Sequence, residues 1–123
     1  MANPGFTKTY DAGAAIAPYT IVKFSGDFVV VPGAAATDAL IGVTTEIAAN
    51  QGERADVVHG GTPFVQLGGT VAGGDLLTSD ANGHAITAAP ASGAVASVIG
   101  RARYSGVSGD VIEFIFAPGQ IHG

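Results

Sequence analysis

Three histidines, His59, His84 and His122, and ten carboxylates are the side chains here that could move protons or hold a metal. Their spacing organises neither chemistry. No His-x-His or His-x-x-x-His pair occurs, so a zinc site would have to gather its ligands from separate loops. Cysteine is absent, which excludes thiolate ligands, disulfides and thiol nucleophiles. Asp80-Ala81-Asn82-Gly83-His84 has the opening spacing of a calcium loop, but His84 stands where a fifth-position acid is needed, and the later Glu is missing. Asp75, Asp80 and Asp110 adjoin glycines, where Asp caps backbone donors in turns. Gly106-Val107-Ser108-Gly109 is one residue short of the Gly-x-Ser-x-Gly nucleophile turn. Gly68-Gly69 and Gly73-Gly74 lack the Gly-Lys-Ser/Thr and the helix that make a phosphate loop. A sugar-cleaving cleft would need aromatic platforms, and the chain has no Trp and three Tyr. The expectation is a protein that is not an enzyme and needs no metal or cofactor.

Contact chemistry is better represented. Arg101 and Arg103 share one face of a strand and could meet an acidic partner, although Glu113 on the next strand is a local alternative. Residues 1–12 read as an extended N-terminal arm, since Asn3-Pro4-Gly5 breaks regular structure: either a tail or edge strand, or an arm that pairs with a neighbouring subunit through Phe6 and Tyr10. The C-terminal stretch ends on one apolar anchor, Ile121. Phe6, Tyr10, Arg101, Arg103 and Ile121 are therefore the candidate partner-binding residues.

The elements that must position them are strands. The Ala-rich candidates for helix are short and cut by Gly or Pro, and leave room for one turn over 36–40. Strands are expected over 20–24, 28–31, 40–46, 55–58, 63–67, 76–79, 84–87, 98–104 and 111–116. Ser25-Gly26-Asp27 and Asp80-Ala81-Asn82-Gly83 supply hairpin turns. In the strand over 111–116 only Glu113 interrupts the apolar run, so burial of both faces is expected over most of its length.

The order of these pieces occurs twice. Tyr19-Thr20-Ile21-Val22, Leu40-Ile41-Gly42-Val43 and Gly52-Glu53-Arg54 return as Gly74-Asp75-Leu76-Leu77, Val98-Ile99-Gly100-Arg101 and Gly109-Asp110-Val111. The spacing between copies drifts only between 55 and 58 positions, as loop insertions would leave it. One β domain over 13–123 is expected, built from related units over about 13–67 and 68–117, as a compact all-β barrel or sandwich. The first copy carries Phe24, Phe28 and a Val run, and contacts are expected there.

Composition narrows the partners. A chain of 123 residues with 47% apolar side chains can fill one thin core, and such domains often gain stability by association. A net charge of −5 with five basic residues argues against binding nucleic acid. No apolar run reaches the roughly 20 residues of a membrane helix. No secretory signal is visible at the N-terminus, so synthesis in the cytoplasm is expected.

The second copy carries a family resemblance. Gly74-Asp75-Leu76-Leu77-Thr78-Ser79-Asp80-Ala81-Asn82-Gly83, then Val98-Ile99-Gly100-Arg101-Ala102, then Gly109-Asp110-Val111-Ile112-Glu113-Phe114 resembles the small capsid decoration, or cement, proteins of tailed bacteriophages. The resemblance covers about residues 12 to 117. It implies a small β-barrel or sandwich on the outer capsid surface of the virion, acting as a homotrimer. There it bridges neighbouring copies of the major capsid protein and stabilises the shell, with no catalytic residues. The alternative is a tail or spike β domain that binds a host receptor or glycan.

Overall fold

The computed structural model describes residues 7–90 and 92–122. Ten strands run in order: β1 (Thr7–Ala12), β2 (Ile21–Gly26), β3 (Val29–Pro32), β4 (Leu40–Thr44), β5 (Arg54–Val58), β6 (Phe64–Gln66), β7 (Leu76–Ser79), β8 (Ala85–Thr87), β9 (Val95–Ala102) and β10 (Val111–His122). No helix forms among the described residues. At 36–40 the chain turns instead, because the Asp38 carboxylate accepts the amides of Ala34 and Ala35 at 2.9 and 3.0 Å.

The first five strands close into a barrel, in the order β1-β3-β2-β4-β5. Its interior is Ala12, Ile16, Val22, Val30, Ala49, Ala55 and Val57. Small and β-branched side chains suit this space, since a five-stranded barrel leaves little room at its axis. The last five strands form a sheet in the order β6-β10-β9-β7-β8. A parallel bridge from Leu67 to Ala85 brings its two edges together, as β1 and β3 meet in parallel in the barrel.

The two units correspond strand by strand. Gly13 donates to the Val30 carbonyl and Gly68 to that of Ala85, each at 2.8 Å. Gly52 donates to Ala12 and Gly109 to Leu67. The bridge Ile16–Ala49 has its counterpart in Val71–Gly106. Thus β1 matches β6, and the division expected at 67/68 falls earlier, between β5 and β6. Thr7–Ala12 likewise proves to be a strand of the barrel, bonded to β5 on one side and β3 on the other. The extended stretch expected over 1–12 therefore belongs in part to the body of the protein, and its first six residues, Phe6 included, lie outside the described residues.

A second apolar cluster joins the units. Ile21, Leu40, Val43 and Val58 from the outer wall of the barrel meet Val65, Ile99 and the interior of the second unit. Burying several such side chains contributes about 1.5–3 kcal/mol each relative to exposure. Backbone bonds fix the approach: Ile21 donates to the Gly83 carbonyl at 2.8 Å, and Gln66 to that of Tyr19 at 2.9 Å.

Strand β10 departs from expectation in two ways. Ile112 and Phe114 are buried, but Val111 and Ile115 on its other face are 41% and 50% exposed. Apolar residue type marks a face that can be covered, and among the described residues no strand is paired or packed over this one. Beyond a bulge at 116–119 the strand continues to His122, pairing with the first half of β9.

Candidate interaction surfaces

The pairing of β1 with β3 and of β3 with β2 brings three aromatic rings to one mouth of the barrel. Tyr10 is on β1, Phe24 on β2, and Phe28 in the turn that follows β2. The Tyr10 and Phe24 rings meet edge to face at 5.3 Å, in the geometry that ring quadrupoles favour. Tyr10 also stands 2.8 Å from His59 Nε2, while His59 Nδ1 is 2.7 Å from the Ile41 carbonyl oxygen. A carbonyl only accepts, so in the neutral ring Nδ1 carries the hydrogen and Nε2 accepts from the Tyr10 hydroxyl. Tyr10 is thereby held in place from below, and its ring is presented at the mouth.

Phe24 and Phe28 are not held down in this way. Phe24 is 48% exposed and Phe28 is 74% exposed. Phe28 also has a φ of 58°, in the left-handed region that bulky side chains avoid. The rings border a hollow of about 430 Å³ lined by Tyr10, Phe24, Gly26, Asp27 and Phe28. A neighbouring hollow of about 310 Å³ shares Tyr10 and Phe28 and adds Thr9, Asp11 and Arg54. The surface thus combines aromatic area with a rim of both charges, which is the composition of protein contact sites.

A second exposed surface lies on the outer wall of the β6-β10-β9-β7-β8 sheet. Val111 and Ile115 stand on β10, with Arg101 opposite Ile115 on β9. The Arg101 guanidinium donates to the Gly74 carbonyl at 2.7 Å. Arg103 is paired with Glu113 at 2.6 Å, and the Tyr104 hydroxyl accepts the Glu113 amide. Arg103 is therefore committed to a local pair, which leaves Arg101 as the more open of the two.

The candidate partner-binding residues are thus distributed. Tyr10 is at the barrel mouth, Arg101 and Arg103 are on the opposite unit, and Ile121 sits half-buried across from Ala96 at the far end of β10. The structure does not gather them into one site. It gathers Tyr10 with Phe24 and Phe28, and Arg101 with Ile115 and Leu76. The sequence signal for the second group was an apolar alternation, which does not say which face is left uncovered.

Asp75, Asp80 and Asp110 each accept backbone amides in turns. Asp80 Oδ1 accepts the amides of Asn82 and His84 at 2.8 and 3.0 Å and so caps the hairpin. Asp75 and Asp110 each accept the amide three residues earlier. Among the described residues no group of three His, Asp or Glu side chains could hold a metal ion, and no helix is long and apolar enough to cross a membrane.

No family model matches the chain, and no curated protein matches its sequence. A solved structure does match its fold: the N base of head fiber gp8.5 in bacteriophage phi29, with a TM-score of 0.70. The chain is similar in fold to a phage head fiber base. The likeness covers 91% of this chain and 93% of that chain, at 19% sequence identity. It spans both units, so the pairing of two five-stranded units is a shared architecture. The compact all-β barrel or sandwich expected from the sequence is the fold observed, as a closed five-stranded barrel beside a second five-stranded sheet. The sequence resemblance is to small capsid decoration proteins of tailed bacteriophages, and the likeness in fold is to the base of a phage head fiber.

Proposed function

We propose that this protein is a structural component of a bacteriophage head, bound to the outer surface of the assembled capsid. It acts as a trimer that bridges neighbouring major capsid proteins and stabilises the shell. The observation that carries this reading is the likeness to the head fiber base over nearly the full length of both chains. The surfaces support it: a β body presents one aromatic mouth and one apolar wall, and both are exposed among the described residues.

The physics needs no catalytic step. A ligand that binds the assembled shell and not its separated subunits stabilises the shell by mass action. Individual contacts of modest strength suffice when three linked copies engage together. An exposed aromatic set is suited to such contacts, because aromatic side chains supply large area with few rotors to fix.

The reading is tested on purified particles. Gel densitometry should find the protein in hundreds of copies per particle, and stripping it should lower the temperature of DNA release. A few copies per particle would place it in a tail or spike instead.

A further inference from the structure

The correspondence between the two units extends to the contact that joins them. Within the chain, the mouth of the second unit packs on the outer wall of the first. Its Gly83 is buried there: an ideal Cβ on Gly83 would lie 2.5 Å from Thr20 Cγ2 and 3.3 Å from Pro32 Cβ. The wall it meets is Ile21, Val43 and Val58, all buried.

The first unit has the same mouth and the second unit has the same wall. Phe28 occupies the position of Gly83, and both have left-handed backbones, with φ of 58° and 78°. Tyr10 corresponds to Val65, Ile41 to Ile99 and Phe24 to Ser79. The pairings fix this register: β2 with β3 matches β7 with β8, as Val22–Pro32 matches Leu77–Thr87. By the same register the wall residues Ile21, Val43 and Val58 become Leu76, Arg101 and Ile115. Among the described residues, each chain therefore has one mouth and one wall satisfied internally, and one of each left open.

We propose that the open mouth of one copy, Tyr10, Phe24 and Phe28, packs on the open wall of the next, Leu76, Arg101 and Ile115. The contact between chains repeats the contact within a chain. Arg101, in the place of Val43, would lie against the aromatic rings, an arrangement that their quadrupoles stabilise. Phe28 cannot copy the close backbone approach of Gly83, so its ring lies across the wall and the contact is wider and weaker. Such a head-to-tail contact either closes into a ring or runs on as a filament. Closure after three copies gives a ring of six units with every mouth covered. The inference deepens the self-association of the reading above and takes the number of copies from it.

The absence of cysteine makes a clean test possible. Phe28→Cys and Thr87→Cys chains, each with unchanged melting, are mixed and treated with a short bis-maleimide linker; Thr87 is the counterpart of Pro32. The mixture should give cross-linked dimers, and either variant alone should give few. Ile115→Asp should weaken self-association by about tenfold or more in sedimentation. A mixture without cross-links, or Phe28→Cys alone cross-linking as well as the mixture, overturns the inference. Binding of the wild-type protein to stripped particles is measured separately. A protein that binds particles without mixed cross-links loses only this inference, and one that cross-links but never binds particles loses only the head assignment.

Discussion

Phe28 holds a conformation that its counterpart reaches at little cost. A non-glycine residue in the left-handed region costs about 1 kcal/mol or more, and Gly83 avoids that cost. Tyr19 is the other such residue, and it has a visible return: its ring packs on Phe64 of the second unit at 6.1 Å. Phe28 is largely in solvent. Phe28→Gly is therefore expected to raise stability by up to about 1 kcal/mol in a denaturant melt while weakening self-association. Lower stability with unchanged association would refute this. Asp38 makes a second case. The Ala34 amide holds its carboxyl below the ordinary value of 3.8, against an opposing effect of burial, and Lys23 at 3.0 Å and the Ala35 amide lower it further. A lowered folded-state pKa gives stability that is full above the unfolded value and lost as the pH falls through the folded one. Asp38→Asn should cost about 1 kcal/mol at pH 7, and the difference from wild type should shrink below pH 3.8. A pH-independent difference would mean that the carboxylate charge does not matter there.

At the scale of elements, the barrel depends on β1, which bonds to both β3 and β5. Deleting the chain through Tyr10 removes four residues of this strand and the hydroxyl that meets His59. Cooperative melting of the first unit should be lost, which circular dichroism would show; an unchanged melt would mean that the barrel closes without β1. The crossing of β9 and β10 depends on Gly100, whose φ is 149° and whose Cβ would run into the Ile115 carbonyl oxygen. Gly100→Ala should cost about 3 kcal/mol or more, because backbone and not a side-chain tip stands in the way. Much of this layout was legible in the sequence. Alternation and Gly-Asp turns placed nine of the ten strands, although β10 runs on to His122 where an end at 116 was expected, and the Ile-Gly pairs at 41–42 and 99–100 marked equivalent strands. The sequence did not show that Thr7–Ala12 closes the barrel, because strand pairing at long range leaves no local mark. Nor did it show that Ile115 faces outward, since an apolar residue reads the same whether its cover comes from its own chain or another. Tyr10 and Phe28 were both legible as candidates, but that their rings share one mouth was not, because the placement of Phe28 depends on a backbone angle that composition does not reveal.

At the scale of the whole molecule, two barrel-like units share one apolar cluster, and each has a mouth and a wall. One of each is used inside the chain, and on the proposed reading the remaining pair is what the protein offers to its neighbours. The likeness in fold to the phi29 head fiber base extends over 93% of that chain. A net charge of −5 suits a contact on a protein shell better than one on the DNA inside it. The measurement that bears most directly on this account is the temperature at which particles release DNA, with the protein bound, after it is stripped, and after purified protein is added back. The account predicts a higher release temperature for the bound and the restored particles than for the stripped ones. The same release temperature in all three would contradict it.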